Sequence, residues 1–274
     1  GTLGGVGAFS TGYGINNNGV VVGYSNTPFD GSRPAISKNG EMITRIGGNM
    51  VRGINNIGQI VGYTQIGSYF RTFVSDSNGS ITKVLDRMPY SSHSYGTGIN
   101  DSGQVTGYFY SYAYNSSGKY RAYITNKNGE ITELGSLDQG QNFISNVYAY
   151  AINNLGEVTG SSATTDGSEH AFIADITGEM IDLGILSKLG ATRSYGHGIN
   201  NLGQVVGTAN KIDNNIHEWT AFVTEDGVMN DLEDLLIGDV SNWDLEVAKD
   251  INDYVEQLNN ESWLLGEGNI INKA

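Results

Sequence analysis

The stretch SYGHGINNLGQVVGTA, Ser194 to Ala209, decides the fold. It packs four glycines, a histidine and adjoining valines into one segment. Glycine at that density disfavours a helix, and the valines are too apolar for a plain loop. Nearly the same wording, SYGTGINDSGQVTGYF, begins at Ser94. Aligned on the isoleucine of GIN, copies fall at Ile15, Ile54, Ile99, Ile152, Ile199 and Ile251, with steps of 39, 45, 53, 47 and 52 residues. A period in that range marks an array of supersecondary units.

Each unit repeats four phrases. A first strand ends in GIN and meets a tight turn, as at Asn200, Asn201 and Gly203. A second strand follows, worded QIVGY, QVTGY, EVTGS or QVVGT, then a third worded RPAIS, RTFVS, RAYIT, HAFIA or TAFVT. A second tight turn, such as Asn128-Gly129 or Asp226-Gly227, leads into a fourth strand, EMITRIG, SITKVLD, EITELG, EMIDLG or VMNDLEDL. Asn-Gly and Asp-Gly reach positive φ cheaply and match strand twist, so both turns read as hairpins. Four antiparallel strands every ~47 residues describe β-propeller blades, and a unit of that length hardly supplies a core of its own.

Side chains alternate faces along a strand. One and three residues before each isoleucine the first strand is nearly always small, as at Gly14, Gly12, Gly98, Gly96, Gly198 and Gly196. Two and four before, it is mostly large, as at Tyr150, Tyr148, His197 and Tyr195. Thin inner strands suit sheets crowded about an axis. The reading predicts an all-β, single-domain propeller over residues 1–274, with blades starting near 11, 50, 95, 148, 195 and 247. Six blades are expected, Thr2 to Gly4 supplying the outer strand of the last; five blades plus a capping segment is the alternative.

Composition narrows function. The net charge is −14, with 29 acidic and 15 basic residues, which argues against a nucleic-acid partner needing a basic face. From Val223 to Ala274 there are 13 acids against 2 lysines. This reads as a solvated acidic region, or as a cation-attracting patch around Asp231, Glu233 and Asp234, whose spacing fits no calcium loop. There is no cysteine, hence no disulfide or thiolate metal site, and no apolar run long enough to span a membrane as a helix. The chain reads as a mature or trimmed sequence without a signal peptide. No metal, cofactor or catalytic motif is expected. His93, His170, His197 and His217 fall in different repeats, and His170 occupies the slot held elsewhere by Arg33, Arg71 and Arg121.

These phrases resemble the bacterial HAF family of extracellular repeats. The triplet stands here as His170-Ala171-Phe172, with GINNLGQVVG and MIDLG beside it. The segment from Asn230 to Asn252, with Trp243, is similar to the family's closing segment. The last unit departs with INDYVEQLNNESW, and only one copy spells HAF. The resemblance implies a secreted, extracellular or periplasmic, bacterial propeller, and implies no reaction.

Candidate residues follow from position. The residues two before each isoleucine, Tyr13, Arg52, Thr97, Tyr150, His197 and Lys249, vary in type where a purely structural slot would repeat one. They are expected either to line a channel mouth and bind a ligand, or to pack between blades with wet polar tips. The second–third and fourth–first connections read as long and variable, so a site is expected on their face. There Tyr110, Tyr112 and Tyr114, with Tyr108 and Tyr120, offer rigid amphipathic contact area; the Tyr/Ser/Ala alternation also fits a strand extension. The leading expectation is a monomeric, non-catalytic binding protein for a glycan or a protein surface. The alternatives are a polysaccharide hydrolase or lyase with an axial site, and a structural component of the cell envelope.

Overall fold

The structure, a computed structural model, describes residues 10–27, 31–39, 41–43, 46–86, 88, 91–113, 118–138, 145–213, 216–235, 245–253, 263–266 and 270–272. The fold is an all-β propeller built of four-stranded antiparallel blades, and the chain divides into two compact units, Gly1–Glu133 and Leu134–Ala274.

The first unit holds three blades. They are β1 (Ser10–Ile15), β2 (Val21–Thr27), β3 (Gly31–Lys38) and β4 (Glu41–Ile43); β5 (Met50–Ile54), β6 (Ile60–Ile66), β7 (Tyr69–Ser75) and β8 (Ile81–Leu85); and β9 (Ser91–Ile99), β10 (Val105–Ser111), β11 (Lys119–Thr125) and β12 (Ile131–Glu133). The second holds two blades, β13 (Val147–Ile152) to β14 (Val158–Ala163), β15 (Glu169–Ala174) and β16 (Met180–Gly184), and β17 (Ser194–Ile199) to β18 (Val205–Asp213), β19 (Ile216–Glu225) and β20 (Val228–Asp231). A three-stranded sheet follows: β21 (Ala248–Ile251), β22 (Trp263–Gly266) and β23 (Ile270–Asn272).

The expected six blades are therefore corrected to five, and the five-blade alternative fits. Among the described residues the sixth repeat forms a three-stranded sheet and not a four-stranded blade. The closing strand assigned to Thr2–Gly4 lies outside the described residues.

Within each unit the core sits between successive sheets. Val61, Val74, Leu85, Ile99, Val105, Phe109 and Tyr123 form one cluster joining the second and third blades. Leu183, Leu186, Ile199, Val205 and Phe222 join the two blades of the second unit. A single blade has no such interior, so stability must come from stacking neighbours, at roughly 25 cal/mol for each Å² of apolar surface buried.

Two devices set the geometry of the described blades. The first is a β-bulge in the inner strand. Gly196 pairs with Gly207 and Gly198 with Val206, leaving His197 unpaired between them. The same skip occurs at Tyr13, Arg52, Thr97, Tyr150 and Lys249. A bulge places two residues opposite one and re-aims the extra side chain. The partner beside each bulge is glycine: Gly23, Gly62, Gly107, Gly160, Gly207 and Gly266. The reason is steric. A Cβ on Gly207 would overlap the carbonyl oxygen of Tyr195, and one on Gly62 that of Met50.

The second device is an asparagine ladder at the first turn. The side-chain oxygen of Asn200 accepts the backbone N–H groups of Leu202 and Gln204 at 3.0 and 2.9 Å, bracing the turn. Its Nδ2 donates to Gln204 Oε1 at 2.8 Å and to the carbonyl of Asn252 in the next sheet at 3.2 Å. Asn153 reaches Asn200 the same way, as Asn16 reaches Asn55 and Asn55 reaches Asn100 in the first unit, all at 2.9–3.0 Å. The next residue adds a rung: the N–H of Asn154 donates to Asn201 Oδ1, and that of Asn56 to Asp101 Oδ1, both at 2.7 Å. The repeated wording N-x-x-G is thus a turn and an inter-sheet clasp at once.

Candidate functional site

The six residues two before each isoleucine are the six bulge residues. They stand three positions before the ladder asparagine, at the short-turn end of the inner strands. Inner strands approach closely here. A Cβ on Gly14 would lie 3.3 Å from Gly53 Cα, and one on Gly198 would lie 2.8 Å from Asp250 Cα and 3.1 Å from the Lys249 carbonyl oxygen. Part of the glycine is therefore spent on bringing backbone against backbone.

In the first unit the structure brings Tyr13 and Arg52 together, the Arg52 guanidinium lying 4.5 Å from the Tyr13 ring centre. Thr97 turns inward to its own blade, its hydroxyl donating to the Thr106 carbonyl at 3.3 Å. In the second unit Tyr150 and His197 meet at 5.8 Å between ring centres. Burial, helped by the charge of Lys249, holds the His197 imidazole down to about 4, so it is neutral at pH 7.

A larger arrangement escaped the sequence reading. Aromatic rings of the first unit form a belt climbing from the bulges toward the opposite end of the blades. Tyr13 touches Tyr24 at 5.7 Å. Tyr63 meets Tyr95 edge-on at 5.0 Å, and Tyr95 meets Tyr108 at 5.2 Å. Tyr120 packs edge-on against both Tyr108 and Tyr110, at 5.6 and 5.0 Å. Phe70 and His93 flank the belt, the His93 Nδ1 accepting the Phe70 N–H at 3.1 Å. The cause is register. Tyr95 pairs with Tyr108 and His93 with Tyr110, which pairs in turn with Tyr120, so all five share one face of the third blade. Burial pushes the Tyr95 hydroxyl up to about 12 and raises those of Tyr13 and Tyr108, the latter two against an opposing pull from Arg52. These hydroxyls remain neutral donors at physiological pH.

Tyr110 read either as part of a loop or as a strand extension; it lies inside β10, as the strand reading has it, and the connection shrinks accordingly. The same holds at Ala209, where β18 runs on to Asp213 and β19 begins at Ile216, and at β6–β7, joined by two residues. The second–third connections are in the main hairpins between extended strands. Tyr112 stands just beyond β10, exposed, and packs edge-on against Tyr110 at 5.2 Å. Tyr114 and Trp243 lie outside the described residues.

The remaining candidates are structural. Arg121 is buried and its Nε donates to Glu133 at 2.7 Å; in the equivalent slot His170 pairs with Asp182 at 2.9 Å. Asp231 is buried, accepting the Thr220 hydroxyl at 3.1 Å and the Glu233 N–H at 3.0 Å, while Glu233 accepts the Leu245 N–H. Those acids brace a turn. Tyr195 donates to Glu169 Oε2 at 2.9 Å, and its own hydroxyl is raised to about 12 by burial and by that carboxylate. Among the described residues no cluster of three or more His, Asp or Glu could hold a metal ion, and no helix is long and apolar enough to cross a membrane.

No family model matches this chain, and no curated protein does. The HAF resemblance thus stands on its phrases alone. Solved structures do match. The chain is similar to a putative TolB from Agrobacterium tumefaciens, with 12% identity over 82% of this chain and 80% of that one and a TM-score of 0.54. It is also similar to XC5397 from Xanthomonas campestris, a gluconolactonase, with 9% identity over 94% and 83% and a TM-score of 0.50. At such identities the likeness concerns the fold alone.

Proposed function

We propose that this propeller is a non-catalytic binding protein whose ligand is a glycan, held on the aromatic belt of the first unit. The single observation behind this reading is the run Tyr63–Tyr95–Tyr108–Tyr120–Tyr110, five half-buried rings in successive contact, with burial raising the hydroxyls of Tyr95 and Tyr108. Aromatic rings pack well on the C–H faces of sugars, and neutral phenols serve sugar hydroxyls as donors and acceptors. Rings braced by one another cost little entropy to order on binding.

The belt is confined to part of the repeat array. Tyr108 corresponds to Ser161 and Thr208 in the blades of the second unit, each paired opposite its own Tyr148 or Tyr195. This favours one asymmetric site over identical sites in every blade. A hydrolase or lyase would need two acid–base groups facing one cleft; Glu169 is engaged by Tyr195, and the belt carries rings and one guanidinium.

The test is a glycan array with the wild type and Tyr108→Ala. The proposal expects a small set of glycans, each weakened at least ~10-fold by the loss of a stacking ring. Retained binding in the variant would place the ligand elsewhere. The HAF phrases support an extracellular or periplasmic setting, checked by fractionating the source cells; the protein is proposed to be a monomer, checked by sedimentation. A single calorimetric transition would support one domain over residues 1–274.

A further inference from the structure

Arg52 is the one cation at a bulge of the first unit. It is the unpaired residue of a bulge, half-buried, in a protein with 29 acids and 15 Lys or Arg residues. Arg121 in the same unit has its Glu133. Arg52 takes no carboxylate among the described residues; its neighbours are rings, with Tyr13 at 4.5 Å and Tyr108 within electrostatic reach. A guanidinium on a ring face keeps its N–H edge open, and that fork matches a carboxylate or a sulfate in two parallel bonds. The bulge holds this geometry, because its partner Gly62 cannot be replaced without displacing the Met50 carbonyl.

We propose that the belt takes an anionic oligosaccharide, one bearing a uronate carboxylate or a sulfate ester, with the anionic group on Arg52 and the adjoining sugar ring against the tyrosines. This rests on the glycan reading above. Two features favour a sugar over an acidic peptide. The surface beyond Arg52 is made of ring faces and phenol hydroxyls, and the hydroxyls of Tyr63 and Tyr95 take no hydrogen bond from the described residues. A peptide would call for backbone donors and acceptors along a strand edge. The net charge of −14 opposes a long polyanion at low salt, so a short oligosaccharide with one or two charges fits best.

The experiment titrates three probes by calorimetry in ~0.15 M salt: trigalacturonate, a sulfated galactose oligosaccharide, and the neutral carboxyl-reduced form of the first. The expected result is binding of at least one anionic probe ~10-fold or more tighter than the neutral one. Arg52→Gln should abolish that preference, and Arg52→Lys should keep part of it, while both variants melt within ~3 °C of the wild type. Equal binding of neutral and anionic probes, or an unchanged preference in Arg52→Gln, overturns the anionic assignment and leaves the glycan reading standing if Tyr108→Ala still weakens binding. No binding of any probe overturns the anionic assignment, and a silent glycan array beside it overturns the glycan reading as well. An Asp-rich peptide that competes as well as the sugar also overturns it.

Discussion

Three residues separate the bulge from the ladder in every repeat, and the two positions obey opposite rules. The ladder position is always asparagine: Asn16, Asn55, Asn100, Asn153, Asn200 and Asn252. The bulge position is Tyr, Arg, Thr, Tyr, His and Lys. Asn200 is buried, and its side chain makes four hydrogen bonds, one to the next sheet, so each of its atoms is spoken for. His197 is skipped by the ladder of its own hairpin, and its neighbours are a tyrosine ring and a lysine charge. One position is fixed because it builds the array; the other is free to vary because the array is built without it. Function is then expected where the repeat stops repeating.

That contrast can be broken most severely at the glycine opposite the bulge. Gly207→Ala sets a methyl group onto the Tyr195 carbonyl, and the strand must lose either its bulge or its pairing. A loss above ~4 kcal/mol in urea unfolding, or failure to fold, is expected; a variant within ~1 kcal/mol of wild type would mean the bulge is not required. Asn200→Ala comes next. It strands the N–H groups of Leu202 and Gln204 and the Asn252 carbonyl, at an expected cost of about 3 kcal/mol, whereas a loss below ~1 kcal/mol would demote the ladder to decoration.

His197 sharpens the comparison through pH. Its folded value is about 4, and an unfolded histidine titrates near 6.5. Between those values the unfolded chain takes up the proton and the folded chain does not, so this residue lowers stability as the pH falls and adds no pH dependence above the window. The stability difference between wild type and His197→Asn should therefore shift by about 2 kcal/mol from pH 7.5 to pH 5. A flat difference would show an imidazole open to solvent. Smallest of all, Arg52→Gln should change stability by no more than ~1 kcal/mol, the worth of one partly solvated cation–π contact.

Much of the scaffold was legible in the wording of the repeat. The turns, the strand order within a blade and the small residues at Gly14, Gly53 and Gly198 are local demands that recur, and the structure meets them with hairpins and closely packed inner strands. Three things were not. A bulge changes pairing without changing composition, and its only trace was a glycine opposite it in each copy, Gly62, Gly107 and Gly160 among them. The segment around Lys211 read as a loop, and that around Tyr110 as a loop or a strand extension without deciding between them; alternation is what a half-exposed strand shows, and β10 and β18 run through both. The aromatic belt depends on cross-strand register, which brings His93, Tyr110 and Tyr120 side by side although they are far apart in the chain. The blade count failed where the last repeat abandons the wording of the others.

The most direct test measures stability and ligand affinity on the same two variants, Arg52→Gln and Asn55→Ala, which lie three residues apart in one strand and turn. If display and construction are separate tasks, Arg52→Gln keeps its stability to within ~1 kcal/mol and loses the ligand, while Asn55→Ala loses about 3 kcal/mol and, still folded at low temperature, binds as the wild type does. The reverse pattern, or two variants that lose stability and binding in step, would contradict the account.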